Sequence, residues 1–138
     1  MTLYLVDTSA WHRSAHPDVA RRWQQLLMED RIALCHQVML EILYSARSAD
    51  DYAALRRELA GVRLLPNGIA RYERALDVQQ ALSEVGGLHH RSVQISDLLI
   101  AASAESAGAV VWHYDEDFDR IASITGQAVE WVAPRGSL

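Results

Sequence analysis

The chain has 138 residues, half of them hydrophobic, which is enough for one compact core and too few for two. Its formal net charge of −5 argues, taken alone, against a nucleic-acid partner. All 13 basic residues are arginines, and the missing Lys excludes a P-loop and counts against phosphoaspartate enzymes and receiver domains.

The first half of the chain alternates short apolar runs with helical patterns. It predicts a strand at about 2–6, a short helix or turn through Trp11, and a helix over about 18–30 introduced by Pro17. A strand at about 31–35 and a helix from His36 to about Arg47 follow. A helix at about 49–60 and a short strand closed by Pro66 complete this half.

The second half begins with an amphipathic helix over about 69–85, which ends at Gly86 and Gly87. Its predicted apolar face consists of Ile69, Tyr72, Ala75, Leu76, Gln79 and Leu82. A loop over 86–94 follows, then a helix at about 96–107 with Ser96 as a good N-cap, a strand over 109–114, a short helix over 115–125 and a last strand over 128–132.

This alternation of strands and helices predicts a single α/β domain over residues 1–138, with a mostly parallel sheet covered by helices on both faces. The apolar stretches are strand-length or interrupted by charges, so we expect no signal peptide, no membrane span and a cytoplasmic protein. The single Cys35 excludes an internal disulfide and a Cys-based zinc site, and we interpret it as a small buried hydrophobe.

Acidic residues recur next to apolar segments. Asp7 follows a β-prone run, Glu41 lies within an apolar helical pattern, Asp97 begins a helical run, and Asp115 and Asp117 follow a strand. A carboxylate on an apolar face is costly unless it is paired or bound to a metal. Three of these positions fall where strand ends and helix starts meet at one edge of a parallel sheet, with Glu41 near enough to reach it.

Each acidic residue also has a purely structural interpretation. Asp7 can cap the next helix, although Thr8 and Ser9 can do so instead. Glu41 can be an exposed edge residue, and Asp97 can be a first-turn carboxylate that the helix dipole favours. Asp115 and Asp117 can belong to a solvent-facing loop. These alternatives stay open for each residue, but the joint pattern favours one site.

Four segments in this order carry a family resemblance: VDTSAW, EILYSAR, SDLLIAA and YDEDFDRIA. They resemble a PIN domain over essentially the whole chain, and the short single-domain length is similar to VapC-type toxins of bacterial toxin–antitoxin pairs. The resemblance implies an α/β/α sandwich and an Mg²⁺- or Mn²⁺-dependent endoribonuclease.

The family's four acidic positions match Asp7, Glu41, Asp97 and Asp115, and Asp117 matches a further acidic or polar position. Its hydroxyl after the first Asp matches Thr8 or Ser9, which we assign to substrate binding. The resemblance also implies an RNA substrate, a VapB-type antitoxin and a homodimer, for which the apolar helices near 23–27 and 44–55 offer surface.

The residue types suit this chemistry. Carboxylates without Cys or an adjacent His favour Mg²⁺ or Mn²⁺, with Asp7, Asp97 and Asp115 as direct ligands and Glu41 and Asp117 in support. If the five acids form one pocket, they account for the whole formal net charge of −5 and the rest of the protein is neutral, so an RNA substrate is not excluded. The alternatives are a PIN-like RNA- or protein-binding module without turnover, and a hydrolase of small phosphoesters.

Two further residue types lie near these segments. His113 precedes the acidic pair, and we interpret it as a hydrogen-bonded histidine beside the site rather than a phosphate contact. The four Trp residues are spread over separate predicted elements, which indicates anchors of the core or of an interface rather than a platform for stacking bases.

Overall fold

The computed structural model describes residues 1–138. Its strands are β1 (Tyr4–Val6), β2 (Ile32–Cys35), β3 (Arg63–Leu65), β4 (Val110–His113) and β5 (Val129–Trp131). Its α-helices are α1 (Thr8–Trp11), α2 (Pro17–Met28), α3 (His36–Tyr44), α4 (Ala49–Ala60), α5 (Ile69–Glu84), α6 (Ile95–Ala107) and α7 (Asp117–Thr125), and a 3₁₀ turn spans His89–Ser92.

The five strands form one sheet in the order β3-β2-β1-β4-β5, and every neighbouring pair is parallel. The predicted α/β architecture is therefore confirmed. β1 lies in the middle, where Leu5 pairs with Ala33 on one side and with Val111 on the other. All three β1 residues are buried, as the apolar run predicts for a central parallel strand.

The core continues into α6, in which every residue from Asp97 to Ala104 is buried. A helix that is apolar on all sides must lie inside the protein. Three tryptophans from separate elements also pack together: Trp23 stacks on Trp112 at a centroid distance of 5.8 Å and meets Trp11 edge-on at 5.5 Å. No helix is both long enough and apolar enough to cross a membrane.

Several predicted boundaries in the first half of the chain are wrong by a few residues. β1 begins at Tyr4 rather than at residue 2, because its ladder partner β4 begins opposite Tyr4. α2 ends at Met28 rather than at residue 30, because Asp30 adopts a left-handed φ of 54° that turns the chain into β2. α3 ends at Tyr44 rather than at Arg47, because Ser48 is extended and caps α4.

The second half departs from prediction in its caps. α6 begins at Ile95 with Gln94 as the N-cap, not Ser96, because the Gln94 N–H donates to the Asp117 carboxylate at 3.2 Å. α7 begins at Asp117 rather than at residue 115, and the predicted loop over 86–94 contains the 3₁₀ turn. Leu88 enters that turn with a left-handed φ of 56°.

The predicted apolar face of α5 is confirmed at Ala75 and Leu82 and wrong at Ile69, Tyr72 and Leu76. The helix buries Ala75, Val78 and Leu82, whereas Ile69 is 82% exposed and Leu76 is 59% exposed. The sequence of α5 is apolar on two flanks, and packing against α6 selects only one of them. The other flank remains on the surface next to α6.

Candidate metal and active site

The strand order reverses direction at β1, since β2 and β3 lie on one side of it and β4 and β5 on the other. Open α/β sheets bind ligands at the carboxyl ends of the strands at such a switch point. Asp7 directly follows β1, and its N–H donates to the carbonyl of Trp112 in β4 at 3.0 Å. The register of the sheet therefore brings the residues after β1 and after β4 together.

Asp7 is buried, and it caps α1 by accepting the Ser9 N–H at 3.0 Å and the Ser9 hydroxyl. The alternative in which Thr8 or Ser9 caps in place of Asp7 is wrong, because the Ser9 hydroxyl is directed at Asp7 itself. The Ser9 oxygen in turn accepts the Tyr114 N–H at 2.9 Å. Burial, with a smaller contribution from the charge of Asp115, raises the pKa of Asp7.

Glu41 projects from α3 toward the same edge. Its Oε2 accepts the Thr8 hydroxyl at 3.2 Å, while its Oε1 is buried without a hydrogen-bond partner. Burial, followed by the negative charge of Asp7, raises the pKa of Glu41. The structure thus places Glu41 beside Asp7, and not on an exposed edge of the helix.

Asp97, Asp115 and Asp117 form the centre of the cluster. Each offers one carboxylate oxygen, and these three atoms lie within 4.8 Å of one another. Asp97 is 4% exposed and its Oδ2 has no hydrogen-bond partner. Burial, followed by the charges of Asp7 and Asp115, raises the pKa of Asp97 to about 9. Without a cation, the cluster therefore retains a proton at neutral pH.

The Asp117 carboxylate is already engaged within the protein. Its Oδ1 accepts from Arg120 at 2.8 Å and its Oδ2 accepts the Gln94 N–H at 3.2 Å. Asp117 therefore ties the start of α6 to α7. Arg120 was not predicted from the sequence, although its position three residues after Asp117 on a helix was an available signal.

His113 is fully buried at the end of β4, where sequence analysis placed a histidine beside the site. Its Nδ1 accepts the Asp115 N–H at 3.1 Å. Burial lowers the pKa of His113 to about 4, so the imidazole is neutral at neutral pH. Its Nε2 has no hydrogen-bond partner.

The five predicted carboxylates thus meet at one edge of the sheet. Two of their oxygens, Asp97 Oδ2 and Glu41 Oε1, are buried without partners, which is costly in a metal-free protein. The donors are all carboxylate oxygens, the ligands that Mg²⁺ and Mn²⁺ prefer. The residues present therefore fit a divalent cation, and the arrangement can hold positive charge against a phosphate group.

Comparison with known proteins agrees with this architecture. Residues 4–124 match the family model described as the PIN domain. The chain is 57% identical over 136 residues to Ribonuclease VapC18 of Mycobacterium tuberculosis, with 99% of both chains covered. It is 43% identical over 139 residues to Ribonuclease VapC21 of the same species, with 99% of this chain and 98% of that protein covered.

Solved structures share the fold. A DNA-bound VapBC structure from Salmonella typhimurium matches with a TM-score of 0.76 at 19% identity, covering 96% of this chain and 100% of that one. VapBC-5 from M. tuberculosis, described as a toxin–antitoxin system, matches with a TM-score of 0.63 at 28% identity, covering 95% and 98%. The chain belongs to the PIN domain family and, within it, to the VapC group. The resemblance found in the sequence is confirmed.

Proposed function

We propose that this protein is an Mg²⁺- or Mn²⁺-dependent endoribonuclease, the toxin of a toxin–antitoxin pair. The observation that carries the proposal is the set of carboxylates at the switch point, two of whose buried oxygens have no partner within the protein. The relatives named as VapC ribonucleases support RNA as the substrate class.

In the proposed site, Asp7, Asp97 and Asp115 hold the cation directly, and Glu41 and Asp117 support it. A bound divalent ion would supply activation of water and stabilisation of the charge that develops at phosphorus. Asp117 contributes mainly by position, because Arg120 already neutralises part of its charge. Thr8 and Ser9 order Glu41 and Asp7 through their hydroxyls, and they lie on the side where we propose that RNA binds.

The proposal predicts that RNA cleavage requires a divalent cation, because carboxylates without one repel phosphate. Purified protein is incubated with structured RNA in Mg²⁺ or Mn²⁺, and internal cuts are mapped by primer extension. Excess EDTA should reduce the rate at least about 100-fold, and added Mn²⁺ should restore it. Undiminished cleavage in EDTA would contradict the metal site.

The alternative of a PIN-like binding module without turnover is less well supported. A module that only binds has no need for the acidic set, whereas all five carboxylates are present and grouped here. RNA that binds tightly in Mg²⁺ and is never cut would favour this alternative. A small-phosphoester hydrolase is distinguished by release of phosphate from such substrates.

We infer that the partner is a VapB-type antitoxin, as the VapBC complexes among the similar structures suggest. A groove runs between α2 and the end of α4, lined by Trp11, Trp23, Leu27 and Val62 among others. Apolar residues of an amphipathic segment fit such a groove. An arginine of the same segment can pair with the acidic cluster and compete with the cation.

We also propose a homodimer. The stretches 23–27 and 44–55 expose Leu27, Tyr44 and Tyr52, while Trp23 and Leu55 pack against the core. We place the interface at a second apolar surface, the groove between α5 and α6, whose lining includes the exposed Tyr72, Leu76 and Ile95. Exposed apolar surface of this kind is typical of an interface.

The dimer surface is tested by Leu76→Arg, which places a charge on the exposed part of this groove. At micromolar concentration we expect light scattering to give a dimer for the unaltered protein and a monomer for this variant. Met28→Arg is the matched control, because Met28 is an exposed apolar residue on α2. A monomeric unaltered protein, or a Leu76→Arg dimer, would contradict the assignment.

A further inference from the structure

The turn after β4 is held by side chains rather than by a regular ladder. The Tyr114 N–H donates to Ser9 Oγ, the Asp115 N–H donates to His113 Nδ1 at 3.1 Å, and the Asp117 N–H donates to Asp115 Oδ1 at 3.0 Å. Each of these bonds fixes one peptide of the turn that carries Asp115. His113 holds the backbone N–H of Asp115, whereas the Asp117 N–H holds the Asp115 carboxylate itself.

The His113 ring is fixed in place by its surroundings. It packs against Phe118 at a centroid distance of 5.1 Å and against Trp131 at 5.0 Å. Asp119 is the acidic group facing its Nε2, with Oδ1 at 4.0 Å and Oδ2 accepting the Trp131 indole N–H at 3.0 Å. A ring whose Nδ1 accepts a backbone N–H carries its proton on Nε2, the nitrogen that faces Asp119.

A histidine that only filled this space would destabilise the fold relative to an apolar side chain. Its Nε2 is buried without a hydrogen bond, and a leucine would occupy a similar volume without leaving a polar atom unsatisfied. The only hydrogen bond that the ring makes is the one to the Asp115 N–H. The geometry therefore points to that bond as the reason for a histidine at this position.

We infer that His113 is a positioning residue for Asp115. By accepting the Asp115 N–H, His113 Nδ1 holds the turn so that the Asp115 carboxylate faces the acidic cluster. The inference rests on the proposed role of Asp115 in binding the cation. Residues that orient a metal ligand in this way typically change metal affinity or activity by about 10–100-fold when they are replaced.

Two substitutions separate positioning from packing. His113→Asn keeps an acceptor at the place of Nδ1 but leaves a cavity, whereas His113→Leu fills the space and removes the acceptor. We expect His113→Asn to bind Mn²⁺ within about threefold of the unaltered protein, and His113→Leu to bind it about 10–100-fold more weakly, by calorimetry with Mn²⁺ alone. Thermal stability should follow the opposite order, with His113→Leu the more stable.

Two measurements on the unaltered, metal-free protein do not depend on nuclease activity. Nitrogen NMR should place the His113 proton on Nε2, and hydrogen exchange should show a protected Asp115 amide that His113→Leu exposes. A proton on Nδ1, a rapidly exchanging Asp115 amide, or equal Mn²⁺ affinity in both variants would overturn the inference. If no protein in the series binds Mn²⁺ while the amide is protected, the proposed metal site fails and the hydrogen bond stands.

Discussion

Asp97→Asn is expected to abolish RNA cleavage and at the same time to make the metal-free protein more stable. The amide keeps the shape of the side chain but removes a charge that the proposed cation needs, so we expect a loss of at least about 100-fold in rate. In the metal-free fold the buried Asp97 carboxyl holds a proton at neutral pH, although the same carboxyl is ionised in the unfolded chain, and this proton uptake costs free energy. The neutral amide removes that cost. The expected gain is about 1 kcal/mol or more, roughly 3–5 °C in Tm.

The opposite signs of the two effects distinguish a lost ligand from a damaged fold. Cleavage is measured on a labelled RNA in Mg²⁺, and Tm is measured calorimetrically in EDTA. Asp77→Asn serves as the control, because Asp77 is an exposed carboxylate on α5 and should change neither quantity. If Asp97→Asn cleaved RNA at nearly the rate of the unaltered protein, Asp97 would not belong to the site.

The same variant connects the site to toxicity. Expression of the unaltered chain should arrest growth, and co-expression with a cognate antitoxin should restore it. Asp97→Asn should be harmless with or without the antitoxin. Growth arrest by Asp97→Asn equal to that of the unaltered chain would show that toxicity comes from another part of the protein.

The stability of the metal-free protein is expected to fall as the pH rises from about 7 to about 8.5. The pKa of Asp97 is about 9 in the folded protein and near 3.8 in the unfolded chain, so the folded state holds the extra proton between these values. Each step up in pH therefore favours the unfolded state. The raised pKa values of Asp7 and Glu41 act in the same direction.

The pH window avoids the other shifted groups. His113, with its pKa lowered from 6.5 to about 4, adds stability as the pH rises between these values, and this gain is complete near neutral pH. The raised pKa of the Cys35 thiol lowers stability only near and above pH 9. Between about pH 7 and about pH 8.5, the acidic cluster therefore dominates the change of the free energy of unfolding with pH.

Calorimetric Tm values in EDTA and in millimolar Mg²⁺ test this expectation. Mg²⁺ should raise Tm most at the alkaline end of the window, where the cation competes with fewer protons. Asp97→Asn should flatten the slope in EDTA. A flat profile for the unaltered protein in EDTA would show that the cluster is ionised without cost.

Much of the fold follows from local sequence signals. The buried run before Asp7 is apolar on both faces, as a central parallel strand requires, and the alternation of strand and helix patterns predicts the parallel sheet. The acidic residues were recognisable because carboxylates next to apolar segments are costly without a compensating partner. Length, arginine-only basicity and the single Cys35 excluded competing classes of protein without any structure.

Tertiary structure alone decided how these signals combine. Which flank of α5 is buried depends on how α6 packs against it, and the sequence of α5 is apolar on both. Helical spacing allows the contact between Arg120 and Asp117, but the bond from the Asp115 N–H to His113 follows from neither composition nor periodicity. The sequence determined which residues carry the carboxylates of the site. The register of β1 against β4 decided how far apart those carboxylates lie. A local pattern contains no information about contacts between residues about a hundred positions apart, such as the bond from Tyr114 to Ser9.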